Sequence, residues 1–125
     1  MVIDTSGSMD RYLLAISLGS IASYAESRDV PYVRVIFCDA TYYDAGYMTP
    51  HSIMERVVVK GRGGTILQPG IDFLENSIDF PSNGPILIVT DGECDNFYCK
   101  RDHAILIPKG RSLPFKPRGE VFTIE

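Results

Sequence analysis

Residues Pro85–Gly92 read PILIVTDG. Ile86, Leu87, Ile88 and Val89 leave no polar position for a solvent face, as expected of a central strand in a parallel sheet covered on both sides. The run ends in Thr90-Asp91-Gly92, so it delivers an aspartate at its carboxyl end. In open parallel sheets the residues beyond the carboxyl ends of the central strands line the ligand crevice.

Outward from this strand, the apolar pattern alternates between short β-prone runs and helical spacing. Met1 to Asp4 reads as the end of another strand. Between Met9 and about Ser27, Leu14, Leu18, Ile21, Ala22 and Ala25 recur at helical spacing, with Leu13, Ile16 and Tyr24 widening the stripe, which predicts a helix packed on the sheet. Tyr32–Cys38 (YVRVIFC) and Thr41–Met48 (TYYDAGYM) are separated by Asp39 and Ala40 alone, too short a link for a crossover, so they predict a hairpin. Thr49-Pro50 predicts the N-cap and first position of a short helix to about Glu55, followed by the apolar run Val57–Val59 and a turn at Gly61–Gly64. Leu67, Ile71, Leu74 and Ile78 predict a helix over roughly 67–78, with Pro69 tolerated in its first turn and Pro81–Gly84 closing it. His103–Ile107 and Glu120–Ile124 read as two later strands.

The fold class expected is α/β: a Rossmann-like, mostly parallel central sheet with an antiparallel edge strand and helices on both faces. Its C-terminal half is abbreviated, because residues 91–102 and 108–119 are too short or too rich in Pro and Gly for full crossover helices. Loops, another domain or a second protomer must then cover part of one face. The 125 residues make a single domain, 1–125, and a first strand starting three residues before Asp4 is compatible with excision from a longer protein.

Composition narrows the function classes. Hydrophobic residues at 45% and charged residues at 22% describe a soluble globular chain. There is no apolar run of the ~18 residues a membrane span needs, and MVIDTSGSMD lacks the basic head and apolar stretch of a signal peptide, so a cytoplasmic location is expected. Three cysteines, Cys38, Cys94 and Cys99, fit reduced thiols, and a net charge of -4 argues against a nucleic-acid partner. Charge is uneven: residues 1–99 carry 6 Lys/Arg against 13 Asp/Glu, whereas 100–118 carry 6 against Asp102 alone. That basic run reads as a solvated polar loop.

Three motifs lie just beyond strand or turn ends: Asp4-Thr5-Ser6-Gly7-Ser8, Gly61-Arg62-Gly63-Gly64-Thr65 and Thr90-Asp91-Gly92. Asp4, Ser6, Ser8, Thr65 and Asp91 offer two carboxylates and three hydroxyls, a hard-oxygen set that suits Mg²⁺ or Mn²⁺ and gives zinc neither thiolate nor imidazole. Ser8 opens the first helix, whose N-terminal NH groups favour an incoming anion.

These residues resemble a known family. VIDTSGSM is similar to the DxSxS motif of von Willebrand factor A (VWA) domains, GRGGT to their separate threonine segment, and ILIVTDGE to the strand that brings the last aspartate. Together such motifs form a metal-ion-dependent adhesion site. The resemblance covers essentially the whole chain in motif order. It is closest to the compact bacterial VWA-like domains found C-terminal to a putative metallopeptidase-like region, often alongside MoxR-type AAA ATPases. It implies Ser6 and Ser8 as direct metal ligands, Thr65 as a direct or water-mediated one, and Asp4 and Asp91 acting directly or through water and hydrogen bonds.

The function expected is a divalent-metal-dependent protein-binding module, not an enzyme. A partner's acidic side chain completes the ion's shell, and the resemblance implies an AAA ATPase as that partner. One alternative is a Mg²⁺-dependent phosphohydrolase, but Asp4-Thr5-Ser6 lacks a second aspartate and no His or Lys lies within the motifs to act as acid or base. The other is an assembly domain with a non-functional metal site that self-associates or docks to a missing N-terminal region. Among the remaining polar residues, Asp39 reads as turn-forming and His51 as a polar helix residue. Cys94, Cys99 and His103 lack the second cysteine pair of a zinc site. Tyr42, Tyr43 and Tyr47 read as packing residues, and Glu93 and Tyr98 lie on the loop where partner specificity would be set.

Overall fold

The computed structural model describes residues 1–5, 15–16, 18–19, 21–23, 27, 29–56, 66–78, 80 and 85–124. Six strands form one sheet: β1 (Val2–Asp4), β2 (Val33–Cys38), β3 (Tyr42–Met48), β4 (Ile86–Val89), β5 (His103–Pro108) and β6 (Glu120–Ile124). Their order across the sheet is β3-β2-β1-β4-β5-β6. All neighbours are parallel except the β2–β3 pair, which is the predicted hairpin at one edge. The strand read from Pro85–Thr90 lies third from the far edge, between β1 and β5, and Ile86, Ile88 and Val89 are buried. This is the Rossmann-like arrangement expected from the sequence.

Side chains alternate between two cores, as the pleat requires. One face carries Val2, Ile36, Cys38, Ile86, Ile88 and Ile105. The other carries Met1, Ile3, Val35 and Val89. On the second face the helical residues between 15 and 27 bring in Leu18, with Ile21 beside it, and helix α1 (Pro50–Arg56) brings in Ile53. Ile16 does not widen this stripe; it is 37% exposed. Leu13, Leu14, Tyr24, Ala25, the Val57–Val59 run and the Gly61–Gly64 turn lie outside the described residues. At the start of α1, Thr49 and Ser52 pair their hydroxyls at 2.6 Å and Ser52 N donates to the Thr49 carbonyl at 3.0 Å, the helix start foreseen at Thr49-Pro50.

On the first face, helix α2 (Gln68–Glu75) buries Ile71 and Leu74, with Leu67 just before it, and carries Pro69 in its first turn. A Cβ on Gly70 would lie 2.6 Å from Cys38 Sγ, so glycine lets the helix backbone settle directly on β2. The expected continuation to Ile78 fails. Asn76 leaves helical geometry, and both its backbone N and its Nδ2 donate to the Asp72 carbonyl, at 3.1 and 2.8 Å. A side chain that captures a terminal carbonyl satisfies the orphan acceptor without another helical turn. Ile78, beyond that stop, is fully exposed.

The abbreviated half is covered in part by its own loops, and Val121 and Phe122 of β6 stay about half exposed. Residues 91–102 and 109–119 pack on the first face as irregular segments of bends and turns in place of helices. Phe97 and Cys99 join the buried cluster with Leu113 and Phe115 packed against it, and Phe97 meets Phe115 edge-on at 4.9 Å. At the hairpin edge, β3 bulges opposite Val35/Ile36, and Arg34, 6% exposed, reaches across to both carboxylate oxygens of Asp44 at 3.0 and 2.7 Å. Among the described residues no helix is long and apolar enough to cross a membrane.

Candidate metal centre

Asp4 closes β1, and Asp91 lies two residues beyond the end of β4. The two strands are parallel neighbours with Ile3 beside Val89, so Asp4 falls beside Thr90 at the head of the turn that carries Asp91. Both carboxylates are buried, Asp4 at 0% and Asp91 at 2% exposure. Of the five residues read as metal ligands, these two are brought to adjacent strand ends. Ser6, Ser8 and Thr65 lie outside the described residues.

Hydrogen bonds fix the two aspartates differently. Thr90 Oγ1 donates to Asp4 Oδ2 at 2.7 Å and accepts from Gly92 N at 3.2 Å, so one hydroxyl ties β1 to the turn after β4. Sequence reading did not single out Thr90. Its position before Asp-Gly was visible, but a buried threonine closing a strand carries no other mark. Asp91 Oδ1 accepts from Glu93 N at 2.9 Å, a local Asx turn that orients the carboxylate. Asp91 Oδ2 is buried and has no hydrogen-bond partner among the described residues. A buried carboxylate oxygen left unsatisfied costs about 1–3 kcal/mol or more, so this one calls for a partner beyond the described residues, a hydroxyl of the chain, a water or an ion.

Backbone contacts set the flanking segments. Thr5 donates its N and its Oγ1 to the Cys38 carbonyl at 2.8 and 3.2 Å, which fixes the chain as it leaves β1. Asp39 forms the expected turn, with its Oδ1 accepting from Thr41 N at 3.1 Å. Its carbonyl also accepts from Ile66 N at 2.9 Å, which anchors the residue directly after Thr65 to the end of β2. On the other side, Gly92 has φ +88, and the Ser112 carbonyl packs where its Cβ would be. Arg111 reaches Glu93 at 3.1 Å, so the β5–β6 crossover braces the turn after Asp91. Tyr98 is held elsewhere: its N and O bond the Gln68 amide at 2.6 and 2.8 Å, and its hydroxyl accepts from Arg118 at 2.6 Å. Tyr42 stacks against Phe73 at 5.2 Å and Tyr47 lies under Arg34, both in packing roles.

The thiols near this end are electrostatically suppressed. Burial, with the Asp4 and Asp39 carboxylates adding, pushes Cys38 up to about 12. Burial also pushes Cys94 up to about 11; a hydrogen bond with Thr90 offsets part of this, and the charges of Asp4, Asp91 and Asp95 add to it. The thiolate is the nucleophile. Alkylation of Cys38 and Cys94 in the folded protein at pH 8 is therefore expected to be about 100-fold or more slower than for a free thiol, and to reach the free rate only in denaturant. Iodoacetamide labelling followed by mass spectrometry checks this. Among the described residues no group of three or more His, Cys, Asp or Glu side chains is placed to hold a metal ion. The two aspartates alone do not make a complete site, and a site here needs the hydroxyl segments that follow β1 and precede Ile66.

The sheet order, the Asp-containing turns at adjacent strand ends and the whole-chain motif order agree with one family comparison. A family model described as VWA-like domain (DUF2201) matches residues 1–124. The chain belongs to this family. Searches of curated proteins and of solved structures gave no match. Membership as a VWA-like domain suggests a protein-interaction module.

Proposed function

We propose that this VWA-like domain is a divalent-metal-dependent protein-binding module, with Asp4, Ser6, Ser8, Thr65 and Asp91 holding Mg²⁺ or Mn²⁺ as a metal-ion-dependent adhesion site. The observation that carries the reading is Asp91 Oδ2, a buried carboxylate oxygen without a partner among the described residues, at the same end of the sheet as a second buried carboxylate, Asp4. The donor chemistry fits a hard cation: two carboxylates from adjacent strand ends, with serine and threonine hydroxyls that in sequence follow Thr5, bonded to Cys38, and precede Ile66, bonded to Asp39. The ion would act as a Lewis acid that accepts an external carboxylate as its last ligand. Thr90 holds Asp4, the Glu93 amide holds Asp91, and the crossover at Arg111–Ser112 keeps that turn in place.

The partner is a protein that offers a Glu or Asp side chain. A MoxR-type AAA ATPase is the candidate that the sequence resemblance implies, and a cytoplasmic setting is consistent with three free cysteines. The test loads the protein with Mn²⁺ and adds a short glutamate-containing peptide and its glutamine counterpart. Carboxylate-dependent binding that disappears with chelator and in Asp91→Ala is expected, with no turnover of a phosphoester panel. Mg²⁺-dependent phosphoester hydrolysis that is lost in Asp4→Asn would replace the binding module with a phosphohydrolase.

A further inference from the structure

The basic run between Lys100 and Arg118 is not absorbed by the metal site. In the fold two of its three arginines, Arg101 and Arg118, are fixed over aromatic rings. Arg101 lies 4.9 Å above the Phe80 ring and donates to the Glu75 carbonyl at 2.8 Å. Arg118 lies 5.2 Å above Tyr98 and donates to its hydroxyl at 2.6 Å. Arg111, by contrast, pairs with the Glu93 carboxylate. Neither Lys116 nor Arg118 forms an ion pair with a described residue.

Between the two irregular crossovers lies a cavity of about 210 Å³, lined by Phe97, Tyr98, Phe115, His103, Lys116 and Arg118 among others, with no Asp or Glu among its described lining residues. Its inner wall carries apolar rings: Phe97 is 8% exposed and meets Phe115 edge-on. A second cavity of about 340 Å³ adjoins it and shares His103 and Arg118. Asp102 and Glu120 lie only on that second side. Both cavities border the amino ends of β5 and β6, the opposite end of the sheet from Asp4 and Asp91.

His103 contributes a defined polar group. Its Nδ1 lies 2.8 Å from the Arg101 carbonyl, and a carbonyl only accepts, so Nδ1 carries a proton. The site thus combines the aromatic rings of Phe97 and Phe115, two cations that form no ion pair with a described residue, and an oriented imidazole. Arg118, already held on Tyr98, loses little side-chain freedom when an anion arrives, Lys116 adds a second positive charge to the same cavity, and aromatic side chains favour a flat body attached to the anion.

We propose that this cavity is a binding site for a small aromatic acid, an aryl carboxylate or aryl phosphate, with the ring against Phe97 and Phe115 and the anion at Lys116 and Arg118. The site is independent of the metal centre. Calorimetric titration of the whole chain uses benzoate and phenyl phosphate as probes, benzamide as the neutral isostere and inorganic phosphate as the bare anion. One saturable site is expected for at least one aryl acid, with benzamide and inorganic phosphate each weaker by about tenfold or more. Arg118→Gln and Lys116→Gln, exposed positions whose folding circular dichroism verifies, each weaken it by roughly tenfold, the scale of one charge-assisted hydrogen bond. Asp91→Asn leaves it unchanged. Absence of saturable binding by both aryl acids, equal binding of benzamide, equal binding of inorganic phosphate, or indifference to both cation substitutions overturns the proposal.

Discussion

Asp91→Asn is expected to raise the thermal midpoint of the metal-free protein and, at the same time, to abolish the further rise that Mg²⁺ gives the wild type. Asp91 Oδ2 is buried, has no partner among the described residues and shares the end of the sheet with buried Asp4. Replacing a carboxylate there removes charge from a desolvated place, while the remaining amide oxygen keeps the bond from Glu93 N. A gain of about 1 kcal/mol, or roughly 3–5 °C for a domain of this size, is the expected scale. With Mg²⁺ at 100 times its dissociation constant, linkage adds about 2.7 kcal/mol to the wild type and nothing to the variant. The order of the two proteins therefore inverts between chelator and saturating Mg²⁺, which scanning calorimetry reads directly. Equal Mg²⁺ shifts in both proteins would remove Asp91 from the site.

Gly92→Ala is expected to be the most damaging small substitution near the site. Gly92 has φ +88, a conformation that costs an L-residue about 1–3 kcal/mol. The added Cβ would also meet the Ser112 carbonyl, a backbone atom that moves only with the β5–β6 crossover. Overpacking of this kind adds about 1–3 kcal/mol. A combined loss of roughly 3–4 kcal/mol should lower the urea midpoint clearly, without a change in slope. If the variant folds, its metal affinity should also fall, because the displaced crossover no longer holds the turn that orients Asp91. A variant as stable as wild type would mean that the 109–112 segment does not press on this turn.

The parts of the fold written in contiguous sequence were legible. β4 announces itself as an unbroken aliphatic run, the β2–β3 hairpin as two β-prone runs with a link too short to cross over, and Asp4 and Asp91 as carboxylates just past strand ends. What escaped depends on partners distant in sequence. Ile78 keeps the helical period of Leu67, Ile71 and Leu74, but Asn76 stops the helix by bonding the Asp72 carbonyl, a choice that periodicity does not encode. Phe97 and Phe115 cover a sheet face from segments with no regular spacing, so their burial follows from each other's presence. The Asp39–Ile66 anchor is a backbone bond and leaves no residue signature. Thr90 resembles any strand-end threonine until Asp4 is placed beside it.

The most direct test of the account is calorimetric titration of chelator-treated protein with Mg²⁺ and with Mn²⁺, beside Asp4→Ala and Asp91→Ala variants whose folding is verified by circular dichroism. The account predicts close to one ion per chain for the wild type and none for either variant. A folded wild-type protein that binds neither ion, or variants that bind as well as wild type, would contradict it.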